Sequence, residues 1–231
     1  MNSKSRDPRP YASPPCMAGE LSSDYFGSSA VDPQQAVDVA RWRKAERTRL
    51  RTERMSLEAT VRRSTSEKII QNLQELFANR KIMRAGSVVS MYWPIKGELD
   101  IRPLMEALHG EGILVALPVV ETKAAPLVFR RWMPDTRMER GYWNILVPPA
   151  EAQILTPDAM LVPLVGWDME GYRLGYGGGY FDRTLATLSP PPFSIGIGLQ
   201  SAQLATIYPQ PHDIPLNLIL TEAGLQSDLG G

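Results

Sequence analysis

The segment GYRLGYGGGYFDR, residues 171–183, holds the residues whose types and spacing point most clearly to chemistry. Four of the five positions from 175 to 179 are glycine, which lets the backbone approach a ligand closely or adopt positive φ. Where such a loop precedes a helix, the free N–H groups and the helix dipole favour an anion. We therefore predict a phosphate site here, with Arg173 as its cation, because a guanidinium can bind two oxygens at once.

Neither common nucleotide-binding fingerprint matches this segment. It lacks the Gly-Lys-Ser/Thr ending of the P-loop, and Tyr180 stands at the last glycine position of a G-x-G-x-x-G pattern that starts at Gly175. From these residues alone, a flexible turn remains an equal alternative, with Asp182 as an acid in the first turn of the next helix.

Three further polar groups stand in predicted loops. Glu98 could accept hydrogen bonds from the ring N–H groups of a heterocycle, although a solvated Glu98 beside a helix-capping Asp100 is locally the favoured interpretation. Trp143 could stack on a flat ligand or simply anchor its loop. His212 and Asp213 could supply a base or a phosphate contact, or form a turn that fixes the last strand.

The elements that must position these groups alternate along the chain. Helical periodicity predicts helices over 35–54, 57–79, 100–109 and 180–188, and β-branched apolar runs predict strands near 87–93, 113–119, 127–133, 159–165, 194–199 and 216–221. This order predicts an α/β fold: a single-domain three-layer sandwich with Rossmann-like alternation, a mostly parallel sheet and helices on both faces. Ligands of such sheets bind beyond the carboxyl ends of the strands.

Composition limits the function classes. The 231 residues include one cysteine and two histidines, which excludes a disulfide framework and a site built from several cysteines. Residues 1–34 are rich in proline and serine and are predicted to be a disordered or loosely packed tail, which leaves 35–231 as one domain. Since no apolar run reaches the roughly 20 residues of a membrane span, we expect no membrane partner and a cytoplasmic location.

Charge is unevenly distributed, although 25 basic and 25 acidic residues balance over the whole chain. Residues 41–63 carry nine basic and three acidic groups, a net charge of +6. The overall balance argues against a general nucleic-acid binder, whereas the basic helix indicates a phosphate-bearing partner or a solvated face. An RNA-associated protein is a further alternative.

In order and spacing, these segments resemble the 5-formyltetrahydrofolate cyclo-ligase family, over roughly residues 41–222. The segments are the basic helix, GELD at 97–100, WNI at 143–145, the long glycine-rich segment and PHDIPL at 211–216. The resemblance implies a single α/β domain that closes 5-formyltetrahydrofolate to 5,10-methenyltetrahydrofolate with ATP and Mg²⁺, releasing ADP and phosphate. In the family's mechanism the formyl oxygen is phosphorylated, and N10 then attacks the activated carbon.

The resemblance also implies roles for individual residues. Glu98 corresponds to the carboxylate that orients the folate, and Trp143 and Tyr180 to substrate contacts. The triphosphate-binding residues are Arg173 with Gly175, Tyr176, Gly177, Gly178, Gly179, Tyr180 and Phe181. Asp182 corresponds to the Mg²⁺ ligand, and Arg173, Asp182 and Glu98 form the expected catalytic set.

The first helix departs from the family pattern. Members usually carry a Lys and an Arg four residues apart that contact ATP, and counting back from Met55 places these positions at Arg41 and Ala45. We predict Arg41 and Lys44 as ATP contacts, with Arg47 nearby. The alternative function is a non-catalytic relative that binds a folate or nucleotide and regulates another protein. The partner is expected to be a small molecule and not a nucleic acid, and the protein a monomer or homodimer.

Overall fold

A computed structural model describes residues 33–229. The predicted tail, residues 1–34, lies outside the described residues except for its last two, which begin the first helix. The sheet and the site belong entirely to one compact unit, which begins at Val39.

Four helices and eleven strands make up the described chain. The helices are α1 (Pro33–Ser56), α2 (Ala59–Arg80), α3 (Arg102–Gly110) and α4 (Tyr180–Thr187). The strands are β1 (Val88–Ser90), β2 (Leu114–Val119), β3 (Val128–Trp132), β4 (Glu139–Arg140), β5 (Leu146–Val147), β6 (Ala159–Pro163), β7 (Gly166–Trp167), β8 (Arg173–Leu174), β9 (Phe193–Ile197), β10 (Leu218–Thr221) and β11 (Gly224–Asp228). Among the described residues, no helix is both long and apolar enough to cross a membrane.

Seven strands form the central sheet, in the order β11-β10-β9-β6-β1-β2-β3. The five inner strands run parallel, and the two edge strands, β11 and β3, pair antiparallel with their neighbours. Two short antiparallel hairpins, β4 with β5 and β7 with β8, lie outside this sheet. The mostly parallel sheet predicted from the sequence is confirmed.

The core has two halves because successive strand residues point to opposite sides of the sheet. In β2, Val115 and Leu117 pack with apolar residues of α2 and α3, whereas Ala116 packs in a second cluster. That second cluster includes Leu50 of α1 and Leu185 of α4. Helices therefore cover both faces, as the sequence predicted.

The spacing of apolar residues accounts for the long helices. In α2, Ile69, Leu73 and Leu76 recur every three or four residues and are buried on one face. At the junction of α1 and α2, Ser56 resembles a helix-capping residue in the sequence, but it does not cap α2. It is the last residue of α1, and its hydroxyl donates to the carbonyl oxygen of Glu53. The six predicted strands and four predicted helices are all present.

Candidate active site

The site lies where two neighbouring parallel strands end. The chain segment with Glu98 follows β1, and the β7–β8 hairpin follows β6 and leads into the glycine-rich loop and α4. Because β1 and β6 pair in parallel, their carboxyl ends lie at one edge of the sheet. This topology brings Glu98 close to the glycines, although almost 80 residues separate them in sequence.

Arg173 and Asp182 hold the two ends of the glycine-rich segment together. Arg173 is buried, and its Nη2 donates to Oδ1 of Asp182 at 2.9 Å. Its Nη1 donates to the carbonyl oxygen of Ile214 at 2.8 Å, and the amide of Ile214 donates to the same Asp182 oxygen at 3.2 Å. These three residues, which we call the loop base, close a hydrogen-bonded ring, so the Arg173 guanidinium is engaged inside the protein.

The glycines between these ends, residues 175–179, form the loop tip. Gly177 and Gly179 adopt φ of 93° and 62°, a region that residues with a Cβ rarely enter, and Gly179 directly precedes α4. Nε of Arg47, on α1, donates to the carbonyl oxygen of Gly175 at 2.9 Å, and its guanidinium lies against Gly177. Arg183 donates to the carbonyl oxygen of Gly178.

Arg47 of α1 contacts the glycines of the loop tip, and it lies six residues after Arg41 and three residues after Lys44, the two predicted ATP contacts. Within the described residues its Nη atoms donate no hydrogen bond to the protein. Burial lowers the pKa of Arg47, and the neighbouring Arg43 charge acts in the same direction. A bound anion would offset both effects, so Arg47 is well placed for a phosphate.

Arg41 and Lys44, the predicted ATP contacts, are exposed on α1. Their roles stay predictions. The arginines of α1 that are buried instead are Arg43 and Arg54, which the sequence did not single out individually. A signal for them exists in the spacing of 43, 47, 50 and 54, which lie on one face of a helix.

Glu98 is buried at 7% exposure, not solvated as the local sequence favoured. Its Oε2 accepts a hydrogen bond from the amide of Ile95 at 3.0 Å, and the hydroxyl of Tyr176 lies within hydrogen-bonding reach of the carboxylate. Burial raises the pKa of Glu98, and the hydrogen bonds and the charges of Arg54 and Lys96 oppose that rise. A buried carboxylate with free lone pairs can orient a polar ring.

Tyr176 connects Glu98 to the cations around the loop tip. Its ring has Arg51, Arg54 and Lys96 at 5.3, 5.8 and 5.8 Å from the centroid. Arg54 also donates a hydrogen bond to its hydroxyl. Burial raises the pKa of Tyr176 to about 12, with the Glu98 charge adding to the effect, so the phenol remains protonated and can donate.

Trp143 and Tyr180, the predicted substrate contacts, lie together beside the loop tip. Their rings meet edge to face at 5.6 Å, and the Trp143 ring lies over Gly178. Trp143 is 59% exposed, in a turn where its φ is 55°. An exposed aromatic face next to the glycines favours ligand stacking over the loop-anchor alternative. Phe181 packs instead against the apolar core.

The His212–Asp213 turn fixes a loop. Asp213 forms a buried ion pair with Arg43 and accepts from the amide of Gln210 at 2.6 Å. Burial would raise the pKa of Asp213, but these hydrogen bonds more than offset it and the pKa is lowered. The His212 side chain is 76% exposed, 3.9 Å from Asp213. Of the two interpretations of this turn, the structural one fits the contacts.

Asp168 is a buried polar residue that the sequence interpretation missed. Its carboxylate accepts from the amides of Tyr172 and Ile207, both at 3.0 Å, and so ties the β7–β8 turn to the loop before His212. An acid followed three residues later by glycine, after an apolar strand, is a turn signal that could have identified it.

The metal expectation depends on Asp182. Its two hydrogen bonds both fall on Oδ1, and across residues 33–229 its Oδ2 receives none. The described part of the chain holds no cluster of three or more acidic, histidine or cysteine side chains around a metal-sized space. Mg²⁺ commonly binds through one carboxylate, substrate phosphates and water, and Oδ2 of Asp182 fits that single role.

At the loop tip, backbone amides and cations can bind an anion. Beside the tip, a buried carboxylate and aromatic side chains can bind a flat polar ring. The predicted residues Glu98, Tyr176, Trp143 and Tyr180 all converge on this tip. A phosphate-bearing ligand and a heterocycle can therefore meet at one place.

Comparisons with known proteins agree with the resemblance inferred from the sequence. The model of the 5-formyltetrahydrofolate cyclo-ligase family matches residues 39–222. A 5-formyltetrahydrofolate cyclo-ligase of Haemophilus influenzae is 31% identical over 185 residues, covering 77% of this chain and 96% of that protein. Another, from Mycolicibacterium smegmatis, is 30% identical over 182 residues, covering 76% and 91%.

Solved structures of methenyltetrahydrofolate synthetases resemble this chain as well. The 5,10-methenyltetrahydrofolate synthetase of Aquifex aeolicus superposes with a TM-score of 0.69 at 30% identity, covering 82% of this chain and 93% of that one. The enzyme of the same name from Mycoplasma pneumoniae gives a TM-score of 0.63 at 26% identity, covering 78% and 98%. This chain belongs to the 5-formyltetrahydrofolate cyclo-ligase family.

Proposed function

We propose that the loop tip, Glu98 and the Trp143–Tyr180 pair form the active site in which this cyclo-ligase converts 5-formyltetrahydrofolate to 5,10-methenyltetrahydrofolate with ATP. The observation that carries the proposal is the position of the glycines, between Arg47 on one side and the carboxylate and aromatic rings on the other. A phosphate held by the tip is then next to a folate held by the rings.

The chemistry requires this proximity. The formyl oxygen attacks the γ-phosphorus of ATP, an O–P bond forms, and the bond to the β–γ bridging oxygen breaks to release ADP. N10 then attacks the activated carbon, and the former formyl oxygen leaves with inorganic phosphate as the ring closes and the N10 proton is lost. An amide oxygen is a poor leaving group, and phosphorylation converts it into a good one. Positioning and charge stabilisation carry most of the catalysis in such transfers.

Different side chains bind the two substrates. Arg47 and the backbone amides of the loop tip bind phosphate oxygens, which spread negative charge during transfer. Glu98 accepts hydrogen bonds from the folate ring, and Trp143 and Tyr180 bind its flat surface. Arg173, expected from the resemblance to bind the triphosphate, instead acts by holding Asp182 and the loop base in place.

Mg²⁺ is the implied metal, and Oδ2 of Asp182 is the protein atom that would hold it. A metal bound there supplies positive charge to the phosphates. The role of the chain is to hold that carboxylate: Arg173 and the amide of Ile214 bind the other oxygen, and Oδ2 receives no hydrogen bond from the described residues.

The remaining assignments are also proposals. The partner of the site is a small molecule and not a nucleic acid, the protein acts in the cytoplasm, and it is a monomer or homodimer. No contact in the described residues favours the alternative of a non-catalytic regulatory relative, because Glu98, Arg173 and Asp182 are all present and engaged.

An absorbance assay tests the proposal. Purified protein is incubated with 5-formyltetrahydrofolate and Mg²⁺, with and without ATP, and the methenyl product is followed in the near ultraviolet. We expect product only with ATP, and almost none from Glu98→Gln. A matched control, Glu53→Gln on the exposed side of α1, should retain wild-type activity. Folded wild-type protein that binds ATP and forms no product would contradict the proposed activity.

A further inference from the structure

Arg54 is a buried cation at the centre of the site. It is 6% exposed, and it contacts three separate segments of the chain. Nη1 donates to the carbonyl oxygen of Leu164 at 3.3 Å, and Nη2 donates to the carbonyl oxygen of Lys96 at 3.2 Å and to the hydroxyl of Tyr176. Burying a guanidinium is unfavourable unless its charge and donors are satisfied, so its position calls for a specific function.

Among the described residues, no carboxylate pairs directly with Arg54. Across residues 33–229 it forms no ion pair within 4.0 Å, unlike Arg43 and Arg173, which each pair with an aspartate. Its charge acts instead on Glu98, which it reaches through Tyr176. The tyrosine hydroxyl accepts a hydrogen bond from Arg54, and the charges of both Arg54 and Glu98 act on it, so Tyr176 lies between the two charged groups.

The space between these groups is small. A small cavity of about 10 Å³, with room for roughly one water molecule, is lined by Arg54, Glu98 and Tyr92 together with apolar residues. Because both side chains are buried, the charge of Arg54 is less screened by solvent and acts on Glu98 more strongly than a surface charge would.

We infer that Arg54 is a positioning residue that acts through Tyr176 to hold Glu98 ionised and correctly oriented for the folate ring. The inference rests on the proposed role of Glu98 as the folate-orienting carboxylate. Arg54 itself does not contact the substrate. It allows a carboxylate to be buried deeply enough to exclude water while remaining a hydrogen-bond acceptor.

The direction of the effect follows from the groups that face Glu98. Burial raises the pKa of Glu98, and Arg54 from α1, Tyr176 from the loop tip and Lys96 from its own loop oppose that rise. Tyr92, the other titratable side chain close by, is buried with a raised pKa and stays neutral. Removing Arg54 therefore raises the pKa of Glu98 further and protonates it at a higher pH.

The test is the pH profile of kcat/KM for 5-formyltetrahydrofolate at saturating ATP. For Arg54→Met we expect about a tenfold greater loss at pH 6 than at pH 8, because protonation of Glu98 removes its acceptor. Arg54→Lys should restore part of the acidic activity. Arg49→Met, which removes an exposed cation of the same helix, should leave the profile unchanged.

Two further variants keep the inference testable if Arg54→Met does not fold. Tyr176→Phe removes only the connecting hydroxyl and should shift the profile in the same direction by a smaller amount. The second is Arg54→Lys combined with Glu98→Gln. Its residual kcat/KM should fall no more at acidic pH than that of Glu98→Gln alone. A wild-type profile in folded Tyr176→Phe and Arg54→Lys proteins would overturn the inference while leaving the proposed function intact. Failure of the proposed function would instead appear as an inactive wild type.

Discussion

The loop base and the loop tip lie a few residues apart, yet they use the same kind of side chain differently. At the base, Arg173 is 8% exposed and bonded to Asp182 and Ile214. At the tip, the half-buried Arg47 donates one hydrogen bond, from Nε to the carbonyl oxygen of Gly175. Its two outer nitrogens donate none to the described residues. The sequence predicted that Arg173 binds phosphate, and its contacts support our proposal that it closes the loop instead.

From this difference we infer that Arg47, whose outer nitrogens donate to no described residue, is the better candidate for binding phosphate. Protein partners fix the base, so that the tip can hold glycines in positive-φ conformations that have little stability of their own. Substitutions at the base should have the largest effect on stability, those at the tip a smaller one, and those at its aromatic edge the smallest.

The largest expected effect comes from Arg173→Met, at the base. Removing the guanidinium leaves Asp182 and the Ile214 carbonyl without their partner, and losing one member of a buried pair costs about 3 kcal/mol. We expect urea unfolding to show that the free energy of unfolding falls by about this amount, and we expect the variant to lose activity.

Arg49→Met serves as the matched control, since its ion pairs with Glu46 and Glu53 are exposed and should contribute less than about 1 kcal/mol. If Arg173→Met instead kept wild-type stability and lost only ATP affinity, Arg173 would be the phosphate cation and the distinction between base and tip would fail.

A smaller effect is expected from Gly177→Ala, at the tip. A Cβ here meets only the Arg47 guanidinium at ordinary contact distance, but φ is 93°, so strain should reduce the free energy of unfolding by about 1 to 2 kcal/mol. Gly175→Ala is the stability control, because its Cβ would enter open space and its φ is not positive. Equal unfolding free energies for the two variants would show that the tip is not held in this conformation.

The smallest effect on stability is expected from Trp143→Ala. The ring is mostly exposed, so the free energy of unfolding should change by less than about 0.5 kcal/mol. The KM for 5-formyltetrahydrofolate should rise by roughly tenfold from lost stacking, with the KM for ATP nearly unchanged. Steady-state kinetics with each substrate varied in turn would check this, and an equal rise in both KM values would contradict a role confined to the folate.

Periodicity made much of the fold predictable. The apolar spacing of α2 and the short β-branched runs set the layers, and the sheet order placed the segment after β1 beside the glycines. The two-residue strands β4, β5, β7 and β8 were not predicted, because two residues carry no periodic signal.

The individual roles of the arginines in α1 were harder to predict. Spacing places Arg43, Arg47 and Arg54 on one helix face with Leu50, but it could not say what each of these three of the seven cations of α1 contacts. Their partners lie 42 to 170 residues away in sequence. The burial of Glu98 was missed for the same reason: its neighbours Arg54 and Tyr176 come from other elements.

The affinity of the Arg47→Met variant for ATP, measured by titration calorimetry beside its urea unfolding, tests the central claim most directly. The claim is that the tip, and not the base, binds the phosphates. Loss of charge-assisted hydrogen bonds should raise the Kd by about ten- to a hundredfold, while stability stays within about 1 kcal/mol of wild type. A wild-type Kd in the folded variant would contradict the account.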